Sequence, residues 1–378
     1  MTVLLPDPQV RRSMGMEKGE RVSHKNEHNP EMLAAVDAKT TLTSARAVCS
    51  LLFADGASPQ DISLSSSHVV TLGEAIAVDA YSHAASETPF ALPLRFDTVA
   101  AELDVLALTC ALNFGSGFRL LLTRAGFDRG AFDVVRFGVM SMYIAEGGSG
   151  RNMSAAGLKD MSLSEVAALF DIPISKEVQH PTMQFVTISE HTELRPFAES
   201  IKRVLNEIGQ VLERSGFSSF GAFLVSVCKP APLTADELVV SLAKAFPCFN
   251  DVGTVSGTEV HLHMKAQRLA FHMHQKFPQL VSLPAAPNTG SDPAVVAALV
   301  ARGVIVLPTA VAAAIDAGKP LDAEVEACVR AAGVAGVEAV VAACQGSVKD
   351  ATPMGMSMYL RGLEKGAKRF TNMATVLF

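Results

Sequence analysis

Residues 192–215 read TELRPFAESIKRVLNEIGQVLERS, and Leu194, Phe197, Ile201, Val204, Leu205, Ile208, Val211 and Leu212 recur there at steps of three and four. A 3.6-residue period lays these side chains on one face, so the segment predicts a long amphipathic helix that ends at Gly216. Such a stripe is stable only when other apolar faces cover it. The chain supplies them: helical patterns cover 41–54, 97–114, 130–145, 219–228, 234–246, 264–277, 293–303, 308–317, 324–344 and 353–366. SLSE at 162–165 forms a capping box that opens VAALF. Strand signals are few. MQFVTIS at 183–189 is one, and VGTVSGTEVHLHM at 252–264 reads as a hairpin with Ser256-Gly257 at its turn. The fold class predicted is mainly α, a helical globule of two lobes with a small β-hairpin. It occupies 36–378 as a single domain behind a polar, disordered tail at 1–35, and PAAPNTGSDP (284–293) is the one candidate linker.

Composition narrows the function. Hydrophobic residues are 49% and charged residues 19% of 378, enough for a large core. The formal net charge is −6 with no long basic run, which points to a small-molecule substrate and away from stable nucleic-acid binding. Six cysteines are scattered without a CxxC pair and read as reduced thiols of an intracellular, cytoplasmic protein. The first residues lack a secretory pattern, and no uncharged apolar run is long enough to predict a membrane span.

Several short stretches carry chemistry. ALNFGSGFR (111–119) sends an apolar helix into Gly-Ser-Gly and an arginine. It reads as a phosphate-cradling loop, as a helix stopping against a pocket faced by Asn113 and Phe114, or as a helix end with Gly115 left-handed. Neither it nor EGGSGRN (146–152) fits GxxxxGK[ST], which favours loop or cap. His261 and His263 share a strand face, whereas His272 and His274 lie roughly 200° apart on a helix. Without HExxH or a Cys partner, no metal is expected. Asp292 precedes Pro293 and reads as a helix N-cap, or as a carboxylate kept ionised by the helix dipole to stabilise a glycosidic cation. Asp251 reads as an Asx-type turn. Arg330 lies in an Ala/Val/Gly helix with Glu326 one turn before it and Glu338 two turns after; it reads as an i,i+4 ion pair or as a substrate-orienting charge.

Taken in order, several segments resemble one family. They are RVLNEIGQVLERSGFSSF (203–220), AFPCFNDVGTVSGTEV (245–260), HMKAQ (263–267), DPAVVAALVARGVI (292–305), the Arg330–Glu338 spacing, MSMYLRGLEKG (356–366), TVLF at the end, and ALNFGSG. Together they resemble the queuosine salvage family of queuosine 5′-phosphate N-glycosidases over about 90–378. The resemblance implies a core like that of helix-hairpin-helix DNA glycosylases. It also implies hydrolysis of queuosine 5′-phosphate to queuine and ribose 5-phosphate without metal or organic cofactor. The chain departs from the family pattern at Thr289, where the catalytic Asp falls, and at Ser357, Met358, Gly362 and Met264. On this reading Asp292 replaces the lost carboxylate, while Asn113, Phe114 and Tyr359 line the pocket. Lys265 meets phosphate, and Asp251 and Arg330 belong to the substrate side. The alternative is a homologue that binds a 7-deazaguanine nucleotide without turning it over.

Overall fold

The 192–215 stripe folds as the helix Arg195–Arg214, which buries Phe197, Ile201, Val204, Leu205, Ile208 and Leu212. A computed structural model describes residues 41–86, 93–145, 147–148, 150–183, 185–229, 231–363 and 366–378; the predicted tail at 1–35 lies outside them, as do Glu146 and Ser149 of EGGSGRN. Sixteen α-helices stand among the described residues, with four two-stranded sheets beside them. The fold is mainly α. No single described helix is long and apolar enough to cross a membrane.

Predicted helices recur within a few residues of their expected ends, from Leu42–Leu52 to Pro353–Leu363. The Ser162–Glu165 capping box opens Leu163–Leu169. The hairpin pairs Val252–Val255 with Thr258–His261, and Ser256 and Gly257 both have positive φ (49° and 77°), as a type I′ turn requires. The other predicted strand lies later than 183–189: Thr187–His191 pairs with Ser175–Gln179, whose mostly exposed residues give no alternation to read. Four short helices, Ser66–Glu74, Val78–Ser86, Arg119–Arg124 and Ala155–Asp160, fall outside the predicted spans.

Buried apolar side chains form two clusters. One gathers around Val99–Ala111, Ala131–Ile144, Arg195–Arg214, Phe220–Val227 and Ala235–Ala245. The other gathers around Pro293–Ala301 and Ala323–Ala343. All six cysteines are buried free thiols. The stretch 284–293 is not a linker: Asn288, Thr289 and Ser291 are at most 1% exposed. Backbone contact holds it there. A Cβ on Gly290 would stand 2.5 Å from Gly333 O, so two glycines allow the loop to lie directly on the Ala323–Ala343 helix.

Within the first cluster, Val99–Ala111 meets Phe220–Val227 so closely that a Cβ on Gly221 would stand 1.9 Å from Ala100 O. Buried Asp104 completes this contact by accepting from Gly221 N at 2.6 Å. Burial raises its carboxyl from 3.8 to about 6, although bonds from Gly221, Ser219 and Phe220 favour the ionised form. The folded state thus holds this proton more tightly than the unfolded chain. Its contribution to stability is complete below the ordinary carboxylate value and is lost as pH rises through about 6. Asp104→Asn cannot titrate, so the variant should gain on the parent between pH 4 and pH 8, by about 3 kcal/mol at most. Urea unfolding of both proteins across that range measures the gap, and a constant gap would show that Asp104 titrates normally.

Candidate active site

The ALNFGSGFR stretch ends against a cavity. Val99–Ala111 stops at Leu112, and Asn113 and Phe114 then face a space of about 340 Å³. Gly115 is left-handed (φ 88°), but it lies beyond the helix cap and starts the 3₁₀ turn Ser116–Phe118. Only glycine fits there, since a Cβ would stand 2.5 Å from the Phe197 ring. Phe114 meets Phe197 edge-on at 6.1 Å. The pocket reading of this stretch therefore matches the geometry.

Asp292 lies on the same cavity, 6% exposed. It caps Pro293–Ala301, with Oδ1 accepting from Ala294 N at 2.8 Å. Oδ2 accepts from Arg268 Nη2 at 2.9 Å and stands 3.8 Å from Arg361 Nη1. Burial alone would raise this carboxyl, but the Arg361 and Arg268 guanidiniums outweigh it and hold the group well below the usual carboxylate range. Asp292 is therefore both the cap expected from Pro293 and an ionised group facing the cavity. Phe132 and Asp133 of Ala131–Ile144 also line it, together with Arg119, Met264, Arg361, Arg369 and Phe378.

Other predicted site residues lie elsewhere. Lys265 does not reach the cavity: its amine donates to Ala111 O at 2.6 Å and Val376 O at 2.5 Å, with the rings of Phe114 and Phe249 below it. Burial lowers its pKa, and its charge is spent on the C-terminal carbonyl of Val99–Ala111. Asp251 and Arg330 pair with each other, through contacts of 2.8 and 2.5 Å at 1% and 4% side-chain exposure. The expected Arg330–Glu326 ion pair gives way to this one. Glu326 instead accepts from Asn372, and Glu338 pairs with Arg46. The Asp251 side chain is thus an ion-pair partner, while its carbonyl accepts from Leu262 and His263. Neither residue lines the cavity, although Arg330 stacks at 4.0 Å on Phe378, which does. Tyr359 packs on Tyr81, and its helix turns Arg361 to the cavity instead.

Three of the five positions singled out in the sequence as departures come together. Thr289, Ser357 and Met358 surround a space of about 20 Å³ beside Arg268 and Arg361, the two arginines that hold Asp292. Among the described residues Thr289 Oγ1 meets only Met354 Sδ, at 3.5 Å, and Ser357 Oγ donates to Pro353 O at 2.9 Å. Gly362 is exposed and apart from them. Among the described residues, no three His, Cys, Asp or Glu are grouped to hold a metal. Sequence reasoning missed Asp133, Arg268, Arg361 and Arg369. The available signal was Arg361, the one charged residue of the otherwise largely apolar Pro353–Leu363 helix.

A family model described as queuosine salvage protein matches residues 149–368, more than half of the chain. No curated protein matches it. The matched span contains Asp292, Arg268 and Arg361, whereas Asn113, Phe114, Arg119, Asp133, Arg369 and Phe378 lie outside it.

Proposed function

Because the chain belongs to the queuosine salvage protein family, we propose that it hydrolyses the N-glycosidic bond of queuosine 5′-phosphate, releasing queuine and ribose 5-phosphate. The observation that carries this reading is Asp292, an ionised carboxylate at a helix N-terminus on a cavity of about 340 Å³. A cavity of that size falls within the range for small-ligand sites.

In this reaction the C1′–N bond breaks with its electron pair leaving on the base, and positive charge develops on the ribosyl ring. Asp292 stabilises that charge, and its depressed pKa suits it to act as an anion and not as a proton carrier. Water adds its oxygen to C1′. Asp133, the other carboxylate on the wall, takes the water's proton while the departing base is protonated from solvent. Phe114 and Phe378 supply aromatic surface for the flat base.

A second reading, binding without turnover, is favoured by one observation. Both Asp292 oxygens are already engaged, by Ala294 N and by two guanidiniums, which leaves less of its charge for a cation. Incubation with queuosine 5′-phosphate, followed by mass spectrometry for queuine, tests the first reading. The expected result is base release that scales with enzyme. Release of none at micromolar protein over hours removes the hydrolase, and calorimetric binding of the intact nucleotide then establishes the second reading.

A further inference from the structure

Phe114 and Phe378 reach the cavity from distant parts of the chain, and neither sits in a helix or strand. Phe114 follows the end of Val99–Ala111 by three residues. Phe378 follows a stretch, 371–378, that forms no helix or strand along its length. Backbone without a ladder of its own opens easily unless side chains tie it down.

One buried side chain ties both. The Lys265 amine donates to Ala111 O at 2.6 Å and to Val376 O at 2.5 Å, and it stands 5.5 Å from the centre of the Phe114 ring. Ala111 O is a carbonyl of the last helical turn, where a cation is favoured. Val376 lies two residues before Phe378. The same ammonium therefore joins the approach to one aromatic wall with the approach to the other. Arg330 braces Phe378 a second time, 4.0 Å from its ring, and Asn372 fastens the stretch to Glu326 at 2.8 Å. Near the surface the two segments also touch, since a Cβ on Gly117 would stand 3.0 Å from Met373 Cγ.

A position that needed only volume would be filled at less cost by Leu or Met, because burying an ammonium is expensive. Lys265 is 1% exposed, and burial lowers its pKa. What a cation with three donors does here, and Met cannot, is bond two carbonyls at once.

We infer that Lys265 is a positioning residue, a clasp that fixes the Phe114 and Phe378 walls relative to each other and so sets the surface on which a flat heteroaromatic base lies. Its part in recognition rests on the reading that this cavity is the substrate site. The clasp itself rests on the two carbonyl bonds alone.

Hydrogen–deuterium exchange of the full chain tests the clasp without any ligand. In Lys265→Met, exchange of 112–118 and of 371–378 should quicken together, by about tenfold or more. Lys265→Arg keeps a charged donor and should recover part of the protection. Asn372→Ala cuts only the bond to Glu326 and should loosen 371–378 alone. Leu72→Ala, on Ser66–Glu74 against the far end of Ala323–Ala343, lowers stability elsewhere and should leave both stretches as in the parent. Where Lys265→Met does not fold, Lys265→Gln, whose shorter amide reaches one carbonyl at a time, takes its place with the same joint rise expected. Exchange that quickens in one stretch only, or equally in Leu72→Ala, overturns the clasp. Calorimetry with queuine then reads recognition: Lys265→Met should bind it about tenfold more weakly, and the loss in turnover should fall on KM more than on kcat. Unchanged queuine affinity in the folded variant overturns the part in recognition. A parent that binds no queuine, with the joint rise present, removes the substrate-site reading and leaves the clasp standing.

Discussion

Asp292→Asn should lower queuine release by roughly 10²-fold or more, the scale of losing one electrostatic stabiliser of a transition state. Asn still caps a helix about as well as Asp, so the Ala294 bond should survive. The ion pair should not. Arg268 is 3% exposed, and removing its partner's charge should cost about 3–5 kcal/mol, as for other broken buried pairs. The two effects are separable. Turnover is measured well below the variant's own melting midpoint, on protein shown folded by circular dichroism. A role confined to the transition state lowers kcat and leaves ribose 5-phosphate affinity in place. Full turnover in the folded Asn variant would remove Asp292 from the mechanism, and Asp133 would then be the remaining carboxylate on the wall.

Arg330→Met should destabilise the fold by about 3–5 kcal/mol. Asp251 is 1% exposed and would lose the guanidinium that bonds both of its oxygens. The Phe378 ring would also lose the guanidinium that lies 4.0 Å from it, worth about 0.5–2 kcal/mol. The double variant Asp251→Leu, Arg330→Met should recover much of the loss, because it removes the stranded charge along with the pair. Urea midpoints of the parent, the two single variants and the double variant measure this. An Arg330→Met midpoint close to the parent's would mean that the pair does not hold these elements together.

These two sites differ in how far the sequence could show them. Arg195–Arg214, the hairpin and the Asp292 cap were legible because their signals are local: a period, a two-residue turn, and Pro293 after an aspartate. Local reasoning also suggested Glu326 for Arg330, and here it failed. In a helix buried along most of its length the strongest partner is not the nearest on the helix but the one enclosed with it, Asp251, 79 residues away. Tyr359 and Arg361 illustrate a second limit. Two residues apart on a helix, they point roughly opposite ways, and no pattern in that segment says which side meets the cavity. A third limit is composition. The Pro/Gly/Ser content of 284–293 is that of a linker, and the facing Gly333 together with the bonds from Asn288 to Gln267 and Glu338 makes it a buried loop. Lys265 read as a phosphate ligand because its charge was visible and the two carbonyls that occupy it were not.

The Gly290–Gly333 contact has a consequence for how such a site changes over generations. The loop that carries Asp292 rests on the backbone of Gly333, and the Gln267 and Glu338 side chains hold Asn288 within it. A substitution at residue 289 or 357 alters the chemistry facing Arg268 and leaves the support of the loop untouched. Substitution at either glycine does the opposite, since even one methyl group lifts the loop and takes Asp292 with it. Selection can therefore revise what this site does through a few side chains while inheriting its shape unchanged. In a descendant whose carboxylates have been exchanged for Thr and Ser, the scaffold would outlast the reaction it was shaped for.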